Sequence, residues 1–278
     1  MDVSTPWLDA MHIYPVKSMA GIPVTAWPVE TLGLTYDRRW MVVDTAGRFV
    51  TQREVPKMCL IRVSLGPSCL ELQAPGRGGI ETPLAPSPLR SQRVTVWGDP
   101  CDAWLPDPEA DRWLSGVLDA DLRLAFLPEG GGRSIDPHFD RLGRRVGFAD
   151  GFPFLLIGAA SLDDLNGRLS TPVPMNRFRP SLVVRGSPPF AEDTWRRAQI
   201  GRIHFDVVKP CARCATTTTD QATAERGVEP LRTLATYRRV EGEVRFGQNL
   251  IHRGTGELAV GDPVAALEVA SSPHQDAG

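Results

Sequence analysis

Apolar residues in this chain come in short runs, broken every few positions by glycine, proline or small polar residues. Runs of that length, several with a period of two, predict strands more than helices. Residues 39–44 (RWMVVD) form one run, Thr45-Ala46-Gly47 turns it, and 48–52 return. Residues 59–65 alternate in part, Gly66-Pro67-Ser68 turns, and 69–73 (CLELQ) alternate cleanly. Residues 93–97 (RVTVW) predict another hairpin arm, with Gly98-Asp99 as the turn signal and 101–105 as the short return. In the second half, 152–157 (FPFLLI) reads as a buried strand, followed by strands at 181–185, 203–209, 244–250 and 263–269. Two stretches read as helices. At 108–118, Pro108 and Glu109 suit a first turn, and Trp113, Leu114 and Val117 share a face. At 161, a serine followed by Asp163 and Asp164 predicts a capped helix running to about Leu169.

Composition fills in the architecture. The 278 residues leave room for one large domain or two small ones. With 42% hydrophobic and 23% charged residues there is enough apolar material for a core, so whole-chain disorder is excluded. The 26 glycines and 25 prolines are dispersed, which excludes collagen and argues against a long-helix bundle. The expected fold class is mainly β with short helices (α+β), arranged as two β-barrel-like lobes. We place these at residues 1–125 and 126–270, with a disordered polar tail at 271–278. Gly130-Gly131-Gly132 and the charged stretch to Arg145 read as an exposed loop, a candidate lid.

Charge and cysteines narrow the classes. A net charge of −2 requires no basic face and argues against a dedicated nucleic-acid binder. No run approaches the ~18 apolar residues of a membrane span, and the start of the chain has no basic, apolar leader. Five cysteines, an odd count, with three of them scattered, do not make a disulfide scaffold. A reducing, cytoplasmic setting is therefore expected.

The remaining two cysteines form Lys209-Pro210-Cys211-Ala212-Arg213-Cys214. A structural zinc would need two more ligands, and neither a second CxxC nor a histidine pair is present. A redox dithiol favours a helix start after the motif, whereas Thr216 to Thr219 are β-branched. Two small packing residues are the bland reading. The fourth reading is a single thiolate on a soft metal that brings its own ligands, with Lys209 and Arg213 holding thiolate and anion.

The order of motifs adds to this. Val208-Lys-Pro-Cys-Ala-Arg-Cys214 with Thr216-Thr217, then 229–238 (EPLRTLATYR) and Phe246-Gly-Gln-Asn249, resembles the MOSC domain, named for the C-terminal part of molybdenum-cofactor sulfurase. Upstream, Ile13-Tyr-Pro-Val-Lys-Ser18, Gly33-Leu34, Asp37-Arg38-Arg39-Trp40 and Thr51-Gln52-Arg53 resemble the β-barrel domain that precedes MOSC, and Phe178-Arg179-Pro180 fits the same pattern. The resemblance runs from about residue 10 to about 268.

The resemblance implies a molybdenum-cofactor enzyme similar to the mitochondrial amidoxime reducing component and its bacterial relatives. It implies Cys214 as catalytic residue and metal ligand, with Cys211 free of the metal and Ala212 where the family often has serine. It implies cofactor contacts from Lys17, Ser18, Arg38, Asp150, Arg179, Arg213 and Gln248, with Asn249 and one of Thr216 and Thr217 as further candidates. By spacing alone, Lys17 reads as a surface lysine and 37–39 as a solvated turn, whereas Arg179 between phenylalanine and proline already suggests a buried anion partner. The implied reaction is reduction of an N-hydroxylated or N-oxide small molecule. No ferredoxin-type cysteine pattern is present, so a separate electron donor is expected: a ferredoxin, a cytochrome b5-like protein or a flavoprotein reductase. The alternatives are a carrier that delivers molybdenum cofactor or transfers sulfur, and a binding module without catalysis.

Overall fold

The computed structural model describes residues 5–87 and 89–270, so the tail expected at 271–278 lies outside the described residues. The fold is mainly β with three short α-helices among the described residues. The largest sheet runs in the order Ile22–Val24, Trp7–Ile13, Leu182–Arg185, Phe154–Gly158, Glu243–His252, Ile203–Ala212, Trp195–Ile200, Val264–Val269, with Arg239–Val240 beside Glu243–His252. Its core is the inward face of these strands: Leu8, Met11, Phe154, Leu156, Leu182, Phe205 and Leu250 are all buried. Phe154–Gly158 and Leu182–Arg185 run parallel, and helix Ala159–Asn166 makes the crossover that parallel strands require.

The other lobe has a four-stranded sheet (Trp40–Asp44, Leu122–Phe126, Asp99–Leu105, Arg90–Val96) and a three-stranded one (Arg62–Leu65, Cys69–Ala74, Gly78–Pro83). As hydrogen-bonded, these sheets are open. Strand pairing crosses the expected boundary between the lobes. Trp7–Ile13 is antiparallel to Leu182–Arg185, and Ala26–Glu30 is antiparallel to Gly256–Ala259, so a cut at residue 125 would sever two sheets.

Helix Pro108–Leu118 has the predicted bounds. The Asp107 side chain accepts hydrogen bonds from the Glu109 and Ala110 amides, and Asp119 ends the helix in a left-handed conformation. Its Ala110, Leu114 and Leu118 are buried in the core of this lobe, and burial of a leucine contributes about 2 kcal/mol. Asp111, also buried, accepts from the Leu124 amide at 2.8 Å and fastens helix to sheet.

The second helix departs from expectation. It spans Ala159–Asn166, and Ser161 lies inside it, fully buried, instead of capping it. Ser161 Oγ donates to Glu192 Oε1 (2.8 Å) and accepts from the Phe190 amide, while the same Glu192 oxygen accepts from the Gly158 amide (2.9 Å). A carboxylate from a distant turn serves the helix start, which a local pattern cannot reveal. The stretch 130–145 is also less free than expected. Arg133–Ser134 pairs with Arg145–Val146, Arg133 donates to the Ala149 carbonyl, and Arg144 bonds Asp140, Asp206 and the His252 carbonyl. No helix among the described residues is long and apolar enough to cross a membrane.

Candidate functional site

Several strand ends and their loops converge on one cleft of about 160 Å³. The turn after Trp7–Ile13 supplies Lys17 and Ser18, and the loop before Trp40–Asp44 supplies Arg38. Asp150 precedes Phe154–Gly158, Arg179 precedes Leu182–Arg185, and Cys211, Arg213 and Cys214 come from the end of Ile203–Ala212 and just beyond it. Arg53, Phe152, Ser181, Thr216 and Asn249 complete the wall. Five cationic side chains therefore face one carboxylate.

Three of these residues have left-handed backbones without being glycine: Ser18 (φ 70°), Arg38 (φ 48°) and Arg179 (φ 56°). Such conformations cost about 1–2 kcal/mol each and persist where surrounding contacts enforce them. Here they aim two guanidinium groups at one ring: Arg38 and Arg179 lie 4.4 and 4.2 Å from the Tyr14 ring centre. The Tyr14 amide donates to Asp37 Oδ1 at 2.7 Å, and Asp37 Oδ2 accepts from Arg38. Arg38 is thus partnered. The Arg179 guanidinium has no hydrogen-bond or ion-pair partner among the described residues. Burial pulls its pKa down to about 10, so it remains cationic at neutral pH. A half-buried cation without a partner is a candidate site for an anion.

Lys17 is buried, not a surface lysine. Its Nζ donates to the Phe148 carbonyl at 2.8 Å and to Asp150. Burial lowers the Lys17 pKa, and Asp150 opposes that shift. Asp150 also accepts from Arg53 Nη2 (3.3 Å) and Trp97 Nε1 (3.1 Å). The Lys17 and Arg53 charges and the hydrogen bonds from Lys17 and Trp97 hold this exposed carboxyl well below the usual range.

Cys214 lines the cleft beside Arg53. Arg53 Nε donates to its Sγ at 3.2 Å, and the Thr216 hydroxyl lies 3.4 Å away. Burial alone would raise its pKa; the Thr216 hydrogen bond and the Arg53 charge prevail and lower it, favouring thiolate. Cys211 is held differently, accepting from Arg213 Nη1 at 2.9 Å, while Arg213 Nη2 bonds the Phe178 carbonyl and Nε is buried without a partner. No group of three or more cysteine, histidine or acidic side chains with metal-ligand spacing includes Cys214 among the described residues. A metal there would need ligands of its own.

Two expectations need correcting. Gln248 does not face the cleft. Its Nε2 donates to Asp193 Oδ1 at 2.7 Å, and it lines a separate cavity with Tyr237 and Arg238. Its strand neighbour Asn249 faces the cleft instead, as the two-residue alternation of a strand requires. The β-branched stretch expected to disfavour a helical start after the motif instead forms a 3₁₀ turn, Ala215–Thr218, with Thr217 Oγ1 donating to the Cys214 carbonyl (2.9 Å) and Thr218 Oγ1 to the Ala215 carbonyl (2.8 Å). Local hydroxyl-to-backbone bonds of this kind let threonines leave extended structure. Arg53 was not among the expected contacts, although it ends the Thr51-Gln52-Arg53 motif.

Residues 6–121 match the MOSC N-terminal beta barrel domain and residues 143–265 match the MOSC domain. The chain belongs to the MOSC-domain family. This MOSC chain is 34% identical to mitochondrial amidoxime reducing component 2 of Bos taurus, over 92% of this chain and 82% of that one. It is 32% identical to mitochondrial amidoxime-reducing component 1 of Homo sapiens, over 92% and 82%. It is 36% identical to molybdenum cofactor sulfurase of Danio rerio over 91% of this chain, which spans about a third (32%) of that longer protein.

The donor set suits an anionic, hydrogen-bonding cofactor carrying a thiophilic metal. It provides a cysteine sulfur whose thiol pKa is lowered, an unpaired Arg179, a partnered Arg38, and a deep Lys17.

Proposed function

We propose that this MOSC protein is a molybdenum-cofactor-dependent oxidoreductase that reduces N-hydroxylated or N-oxide compounds, using electrons from a separate redox protein. The observation that carries this reading is Cys214, its thiol pKa lowered, in a cleft whose Arg179 guanidinium lacks a partner. When bound, the cofactor supplies the two-electron redox centre, and the protein supplies binding and orientation. Cys214 Sγ would ligate the metal. Arg179, Arg38 and the Ser18 turn would hold the phosphate and pterin edges, and Arg213 would add charge beside them. Asp150 fixes Lys17 and Arg53, so that Arg53 keeps its N–H on the Cys214 sulfur. In the overall reaction the substrate N–O bond breaks, two electrons and two protons enter, and water leaves. The donor would be a ferredoxin, a cytochrome b5-like protein or a flavoprotein reductase.

Metal analysis with pterin fluorescence, on protein made in a host that synthesises the cofactor, tests the binding. Equimolar molybdenum in the wild type and its loss in Cys214→Ser are expected; no molybdenum in the wild type refutes the reading. Turnover of benzamidoxime with an artificial electron donor tests the reaction. A second reading, a carrier of molybdenum cofactor or of sulfur, is favoured by the 36% identity to a sulfurase. It predicts labile sulfane sulfur on Cys214, whereas the reductase predicts stably bound molybdenum.

A further inference from the structure

Trp97 stands at the tip of the hairpin formed by Arg90–Val96 and Asp99–Leu105. The two turn residues, Trp97 and Gly98, both have positive φ, 55° and 92°. Turns of this kind favour asparagine, aspartate or glycine at the first position. A tryptophan there is locally unfavourable, and half of it (50%) is exposed, so it adds little to the core. Its contacts run toward the cleft. The indole Nε1 donates to Asp150 Oδ1 at 3.1 Å, and the Arg53 guanidinium lies 4.4 Å from the ring centre. Phe49 meets the ring edge-on at 4.9 Å. Arg53 in turn reaches Cys214 Sγ at 3.2 Å. One side chain therefore separates an exposed indole from the reactive sulfur. Both residues that hold the indole, Arg53 and Asp150, line the cleft.

We propose that Trp97 is the aromatic wall of the substrate entrance and determines specificity, stacking the planar body of aromatic N-hydroxylated compounds such as aryl amidoximes. This rests on the reductase reading above. An indole held at its edge by Asp150 and braced by Arg53 and Phe49 keeps a fixed orientation, so a flat substrate meets a preorganised surface. The five cations that line the adjoining cleft, Arg53 among them, favour a neutral or anionic substrate over a cationic one. An uncharged aryl amidoxime meets both conditions.

The test uses cofactor-loaded protein with a viologen electron donor, benzamidoxime and acetamidoxime as substrates, and the variants Trp97→Ala and Trp97→Phe. Loss of one stacking surface is expected to lower the benzamidoxime-to-acetamidoxime ratio of kcat/KM about tenfold in Trp97→Ala. The loss is expected mainly in KM for benzamidoxime, with Trp97→Phe restoring most of it. Equilibrium dialysis of benzamidoxime is expected to show weaker binding to Trp97→Ala by a similar factor. A ratio within twofold of wild type, or the same loss with both substrates, overturns the proposal. If the wild type reduces neither compound, the reductase reading falls by itself. The dialysis comparison then decides the platform separately: equal binding by wild type and Trp97→Ala overturns it.

Discussion

Arg179→Met should make the cofactor-free protein more stable while removing its affinity for anions. The Arg179 side chain is half-buried in the cleft wall, and loss of solvent there pulls its pKa from 12.5 down to about 10. At ~1.4 kcal/mol for each tenfold change in protonation equilibrium, the charged form is disfavoured by about 3 kcal/mol relative to the unfolded chain. Stacking against Tyr14, 4.2 Å away, returns about 1 kcal/mol of that. Methionine keeps the side-chain length and the φ of 56°, so the backbone cost is unchanged. The net gain expected is about 1–2 kcal/mol, or roughly 2–4 °C in Tm per kcal/mol for a chain of this size. Urea unfolding at pH 7 of wild type and variant, both without cofactor, measures it. Pyrophosphate should raise the Tm of the wild type and leave that of Arg179→Met unmoved, because a ligand stabilises only a state that binds it. A variant less stable than wild type without ligand would refute the reasoning and make Arg179 a structural residue.

Three further outcomes follow from the same contacts. Arg53→Met removes the charge and N–H that favour the Cys214 thiolate, so its pKa should rise and iodoacetamide should alkylate Cys214 several-fold more slowly at neutral pH in cofactor-free protein. Asp111→Ala leaves the buried Leu124 amide without an acceptor and should cost about 2 kcal/mol in urea unfolding. Burial raises the Glu192 carboxyl pKa, so the folded state binds its proton at higher pH than the unfolded chain, and this contribution falls as pH rises through the interval between the two values. Glu192→Gln should therefore be more stable than wild type at pH 7, by about 1 kcal/mol, with the difference shrinking toward pH 4 in paired melts.

The parts of this molecule that sequence discloses are those whose physics is local. Helix Pro108–Leu118 is legible to the residue because its first-turn proline and its apolar face both lie within it. Helix Ala159–Asn166 is misread because Glu192, 31 residues beyond Ser161, takes over the hydrogen bonds that a local cap would make. Pairing between Trp7–Ile13 and Leu182–Arg185, which crosses the expected boundary at residue 125, likewise leaves no trace in either strand alone.

The candidate site divides along the same line. Ordered motifs pointed to Lys17, Ser18, Arg38, Asp150, Arg179, Arg213 and Cys214, and the fold brings all seven to one cleft. Gln248 was misplaced because a motif records adjacency but not which face of a strand is wet; the strand sends Asn249 to the cleft and Gln248 to Asp193. Arg53 and Trp97 are the counter-case. Nothing near them in sequence suggests a thiolate, yet Asp150 gathers Lys17, Arg53 and Trp97 from three separate segments onto one carboxylate. That carboxylate is the hinge of the arrangement. Its ionisation depends on the cations it collects, and through Arg53 it sets the environment of Cys214 without touching the sulfur itself.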